Sequence, residues 1–149
     1  MGRDRNRSTT PHLPPYDPAA LAQACRRLGV AMVVAFGSRA TGRPIPTPES
    51  DLDLALLGGQ ASQQACLEEL GQVFPAHNLD FVELGRADPL LRYEIMRTSV
   101  LLHGDPDLYC EYKAYAYRDY IDSADLRRLE DRLFRLKMNR IREALHVAS

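Results

Sequence analysis

Two aspartates two residues apart, Asp51 and Asp53, open the apolar run DLDLALL, and a third, Asp80, lies in a second run, LDFVEL. Alternate residues of a strand project from one face, so Asp51 and Asp53 share a side, opposite Leu52, Leu54 and Leu56. Carboxylates held that close repel unless a cation lies between them. An all-oxygen pair of this kind suits Mg²⁺, which keeps several waters and shares its shell with substrate phosphates. Asp80, brought beside the pair, would admit a second ion and keep an attacking hydroxyl within reach of a base. Upstream, Gly37-Ser38 ends the run VAMVVAF and begins a stretch with helix-starting chemistry. The backbone N–H groups of a helix start have no internal partners and attract phosphate. Gly37 lets the backbone approach a ligand closely, and the Ser38 hydroxyl adds a donor.

Other chemistries fit less well. Gly37 to Gly42 matches the opening of a phosphate-binding P-loop, but Arg43-Pro44 stands where Lys-Ser or Lys-Thr is required. Ser38 lacks the G-x-S-x-G elbow and the positioned histidine of a serine hydrolase. Arg39 and Arg43 could reach phosphate or be solvated loop arginines, and the sequence leaves both readings open. The histidines His12, His77, His103 and His146 show no metal-ligand spacing, and Cys25, Cys66 and Cys110 form no C-x-x-C pair.

The elements that must position these residues follow from punctuation and periodicity. Asp17-Pro18 and Gly29 bracket a helix. Val30 to Phe36 predicts a strand covered on both faces. After one helical turn from Ser38, Pro44, Pro46 and Pro48 predict a loop. Strands are expected over Asp51–Leu57, Leu79–Leu84 and Ser99–His103, and helices over Gln60–Val73 and Pro89–Thr98. Leu108 to Tyr120 reads as a helix carrying Tyr109, Tyr112, Tyr115, Tyr117 and Tyr120, which spread around more than one face. From Leu126 onward, Leu129, Leu133, Leu136 and Ile141 mark one face of a last helix, after a break near Asp122 to Asp125. The tyrosines fit a partner surface and packing against that last helix equally well.

The expected class is α/β (α+β), a small mixed sheet flanked by helices, with C-terminal helices. The division is a disordered tail over 1–16, a catalytic domain over 17–105 and a helical extension over 106–149. The chain of 149 residues carries 19 Lys and Arg against 20 Asp and Glu, a net charge of −1. No overall field therefore points to nucleic acid or anionic lipid, and no direct nucleic-acid binding is expected. The N-terminal MGRDRNRSTTPHLPPYDP lacks the apolar core of a secretory signal, and no run is long enough to span a bilayer. Unpaired cysteines fit a reducing cytoplasm.

The ordered set of Gly37-Ser38, a spacer, Ser50-Asp51-Leu52-Asp53 and then Asp80 resembles the catalytic signature of the DNA polymerase β-like nucleotidyltransferases. The stretch from about Val30 to His103 is similar to their stand-alone minimal nucleotidyltransferases, the MntA-like antitoxins. The likeness is closest at Phe36-Gly37-Ser38-Arg39-Ala40-Thr41-Gly42 and over Arg92 to Leu102. One departure is the spacer of twelve residues between Ser38 and Asp51, which holds three prolines and exceeds the length usual in the family.

The resemblance implies that Gly37 and Ser38 hold the triphosphate of ATP, that Asp51 and Asp53 ligate two Mg²⁺ ions, and that Asp80 ligates one ion and helps deprotonate the acceptor. It further implies attack at the α-phosphate with release of pyrophosphate, and a cognate HEPN-domain ribonuclease toxin whose tyrosine receives AMP, with a hetero-oligomer of the two proteins. Two rival readings stay open: neutralisation of the partner by binding alone, and transfer to a small molecule such as an antibiotic, which the short stretch after Pro106 disfavours.

Overall fold

The computed structural model describes residues 12–147. The elements in chain order are α1 (Pro18–Leu28), β1 (Val30–Phe36), α2 (Ser38–Thr41), β2 (Leu52–Gly58), α3 (Gln63–Val73), β3 (Leu79–Glu83), a 3₁₀ turn (Leu84–Arg86), α4 (Pro89–Thr98), β4 (Val100–His103), α5 (Pro106–Asp122) and α6 (Ala124–Val147). The four strands form one sheet in the order β3-β2-β1-β4. β1 runs antiparallel to both β2 and β4, and β2 runs parallel to β3. The parallel pair requires a crossover, which α3 supplies.

Local chemistry accounts for the boundaries. The Asp17 side chain accepts from the Ala19 N–H, Pro18 occupies the first turn, and Gly29 closes α1 in the left-handed conformation. α3 starts at Gln63, three residues later than the sequence suggests, because the Ser62 side chain caps it by accepting from Ala65 N–H. α5 likewise starts at Pro106, where Asp105 accepts from Asp107 N–H. Gly104-Asp105-Pro106 is thus a helix start and not merely the end of β4.

The sheet buries both faces. Under α1 and α3 lie Leu21, Cys25, Val33, Leu54, Leu70 and Phe74; under α4 and α5 lie Met32, Val34, Ala55, Ile95, Met96 and Ala116. β1 contributes alternately to both cores, which is why its sequence is apolar without interruption. Each fully buried leucine such as Leu54 contributes roughly 2 kcal/mol. α4 and α5 pack antiparallel, pinned at one end by the Arg92–Asp119 ion pair at 2.9 Å and at the other by the hydroxyls of Ser99 and Tyr109 at 2.8 Å.

Two expectations change. His12 to Tyr16, assigned by sequence to the tail, packs on the body: the Tyr16 hydroxyl donates to the Leu102 carbonyl at 3.4 Å and its ring meets Phe74 at 5.3 Å. The rest of that tail lies outside the described residues. The tyrosines of α5, for which a partner surface and packing on the last helix were both open, divide: Tyr109 and Tyr112 pack against the core under α4 and α5. Tyr120 stacks on Tyr93 of α4 at 4.4 Å, with the Arg127 guanidinium 4.1 Å from its ring centre, while Tyr115 and Tyr117 stay exposed. α6 buries none of its side chains. Among the described residues no helix is long and apolar enough to cross a membrane.

Candidate active site

Parallel pairing of β2 with β3 sets Asp53 directly beside Asp80, and Ala55 beside Val82 two residues further on. Residues in register on neighbouring strands point to the same side. Both carboxylates therefore emerge on the α4/α5 face, at the strand starts, beyond the edge of that core. Asp51 sits one residue ahead of β2, exposed, where the Leu52 N–H donates to the Asn78 carbonyl at 2.9 Å.

Antiparallel pairing of β1 with β2 brings the other end of the constellation in. Phe36 is the register partner of Asp53, so Gly37 follows at the same end of the sheet. Gly37 has φ 73° and ψ −156°, a conformation essentially restricted to glycine. A Cβ there would collide with the Asp53 carboxylate. Ser38 begins α2, whose first carbonyls are satisfied by Gly42 N–H donating to Ser38 and by Ala40 and Thr41 N–H donating to Gly37. The Ser38 hydroxyl has no hydrogen-bond partner among the described residues.

The electrostatics match the crowding. Partial burial pushes the Asp53 carboxyl above the usual carboxylate range, and the nearby Asp80 and Asp51 charges add to the rise. Among the described residues none of the three carboxylates makes an ion pair or accepts a hydrogen bond. Acceptors of one sign without donors fit a hard cation. Among the described residues no three His, Cys, Asp or Glu side chains form a group that could hold a metal ion by themselves, so phosphate oxygens and water would complete any shell. A cavity of about 910 Å³ lined by Gln60, Ser62, Cys66, Glu83 and Arg86 opens at the opposite ends of β2 and β3, away from this cluster.

Arg39 takes neither role that its sequence position leaves open. It is only 7% exposed. Its guanidinium donates to the Ser50 carbonyl from Nε at 3.1 Å and from Nη2 at 3.0 Å, to Thr47 at 3.0 Å and to His12 at 3.2 Å. The arginine next to Ser38 thus grips the residue before Asp51 and folds the proline-containing spacer onto α2. The extra spacer length is absorbed by this clamp. Burial holds the His77 imidazole below its ordinary range, and the Arg39 charge lowers it further. Arg92, also 7% exposed, does the same for the segment after β3, donating to Leu84 and Ala87 carbonyls at 3.0 and 2.9 Å. Neither function is visible in sequence, since nothing local distinguishes a guanidinium that meets distant carbonyls from one in solvent.

A mixed sheet that presents paired carboxylates beside a glycine-serine turn is the architecture of a nucleotidyltransferase. The family described as "Polymerase beta, Nucleotidyltransferase" matches residues 20–107, and the chain belongs to it. Among solved structures, a chain of a toxin–antitoxin complex crystallised with AMP-PNP is similar at 18% identity and a TM-score of 0.61, over 79% of this chain and 98% of that one. A chain of the complex between tri-AMPylated HEPN toxin and MNT antitoxin from Shewanella oneidensis is similar at 17% identity and a TM-score of 0.56, over 78% and 95%. A chain of an MntA-HepT toxin–antitoxin complex gives 17% and 0.56, over 78% and 96%. At such identities the likeness is one of fold. No curated protein matches the chain.

Proposed function

We propose that this nucleotidyltransferase uses Mg-ATP to attach AMP to a tyrosine of a cognate HEPN-domain toxin, acting as its antitoxin. The observation that carries the reading is the convergence of Asp53, Asp80 and Gly37-Ser38 at one end of the sheet. The acceptor class is supported by the resemblance in sequence and by the likeness to chains of complexes that contain AMP-PNP or an AMPylated toxin.

In this reading Asp51 and Asp53 would hold two magnesium ions and Asp80 would share one. Bound there, the metal would neutralise charge on the triphosphate. The Gly37-Ser38 backbone N–H groups and the Ser38 hydroxyl donate to triphosphate oxygens. The tyrosine oxygen forms a bond to the α-phosphorus, the bond from that phosphorus to the bridging oxygen breaks, and pyrophosphate leaves. Asp80, the more exposed of the facing pair, receives the tyrosine proton. With little covalent chemistry for the protein to do, positioning and charge account for most of the acceleration.

The test is incubation of the chain with the toxin encoded beside it, Mg²⁺ and ATP labelled at the α-phosphate, followed by mass spectrometry of the toxin. The expected result is one or more AMP groups on tyrosine, absent with Asp51→Asn/Asp53→Asn. Neutralisation that survives this double substitution would establish occlusion by binding in place of transfer, and label arriving from the γ-phosphate would establish a kinase.

A further inference from the structure

α6 is a 24-residue helix, roughly 36 Å long, yet its apolar residues are open to solvent. Leu126, Leu129, Leu133, Leu136, Ile141 and Val147 form one stripe, flanked by Phe134 and Leu145, which are 62% and 69% exposed. Helices depend for most of their stability on packing of such a face, and an exposed apolar strip of this size marks an interaction site.

The charges on α6 divide by face. Asp125 pairs with Arg128 at 3.2 Å and Asp131 with Arg135 at 2.9 Å, on the side away from the stripe. Glu130 and Lys137 stand within the stripe's own arc, two turns apart, and have no partner among the described residues. Opposite charges inside an apolar stripe, unpaired within their own helix, call for charges on whatever covers it.

We propose that the occupant is a second copy of this chain, its α6 lying antiparallel across a two-fold axis between Leu133 and Phe134. That axis places Glu130 of each copy opposite Lys137 of the other, and Leu126 opposite Ile141. A two-fold interface must be self-complementary in this way, each residue meeting the counterpart that meets it in return. A parallel pair would instead set Glu130 against Glu130 and Lys137 against Lys137. The antiparallel arrangement also opposes the two helix dipoles. A single helix pair buries an area at the lower end for specific complexes, so the dimer is concentration-dependent. The inference does not rest on nucleotidyl transfer.

The experiment is sedimentation equilibrium of the full chain over a concentration series, with circular dichroism to confirm that each variant keeps its helix content. The wild type is expected to self-associate to a dimer. Glu130→Lys and Lys137→Glu each replace two attractive contacts by two repulsive ones and are expected to weaken association about tenfold. Glu130→Lys/Lys137→Glu restores it, and the two single variants associate when mixed. A wild type that is monomeric at every concentration would overturn the proposal, as would single charge reversals without effect. Leu133→Ser/Leu136→Ser that still dimerises, or a stripe protected from hydrogen exchange only when the cognate toxin is added, would overturn it as well.

Discussion

The Asp53 carboxylate fills the space into which any side chain at residue 37 would grow. Gly37 follows β1 and Asp53 lies in β2, and their contact joins the turn that begins α2 to the carboxylate-bearing start of β2. Expected phosphate cradle and expected metal ligand are thus one packed unit, so disturbing either displaces the other.

Gly37→Ala combines a backbone conformation that L-residues avoid with a clash against Asp53. The expected loss of stability is about 1–3 kcal/mol, measured by urea unfolding. Nucleotidyl transfer is expected to fall below detection in the labelled-ATP assay. A fully active Gly37→Ala protein would contradict the contact.

Asp53→Asn is expected to raise the melting temperature of the metal-free protein at neutral pH while reducing transfer on the order of 100-fold or more. A carboxyl whose folded-state pKa is raised binds more protons folded than unfolded, so its cost to stability is absent below the unfolded pKa and complete above the folded one. Metal-free wild type therefore loses part of its stability as pH climbs from the ordinary carboxylate range through the raised value, and Asp53→Asn lacks that part. Added Mg²⁺ restores it in the wild type only. Thermal melts across that pH range, with and without Mg²⁺, decide the matter.

Arg39→Lys keeps the charge, but its single nitrogen cannot stand where three separate guanidinium nitrogens meet the Ser50, His12 and Thr47 carbonyls. We expect about 2–3 kcal/mol of destabilisation from the lost hydrogen bonds of a buried cation, and an apparent Mg²⁺ requirement shifted to higher concentration because Ser50 and Asp51 are no longer fixed. Isothermal titration with Mg-ATP and denaturant melts separate the two effects. Unchanged Mg²⁺ dependence would restrict Arg39 to stability.

Burial pushes the Cys25 thiol up to about 11 and raises that of Cys66, while Cys110 is exposed. The thiolate is the reactive form. A disulfide reagent is expected to modify Cys110 rapidly in the native protein, with Cys25 and Cys66 reacting only as it unfolds. Equal rates at all three would argue against the packing of α1 on α3.

The strand-start aspartates, the Gly37-Ser38 turn and the boundaries of α1, β1 and α4 were legible in the sequence, because caps, prolines, glycines and apolar periodicity are local signals. The antiparallel and parallel pairings that set Asp53 beside Asp80 and Phe36 were not, since strand partners are chosen by contacts distant along the chain. The same holds for Arg39, whose four hydrogen bonds reach carbonyls as far away as His12. The stripe on α6 was readable as apolar, but that the body leaves it uncovered is a property of the tertiary packing alone: α4 and α5 already complete the second core. Local chemistry determined which groups the chain offers, and long-range closure of the sheet decided which of them meet.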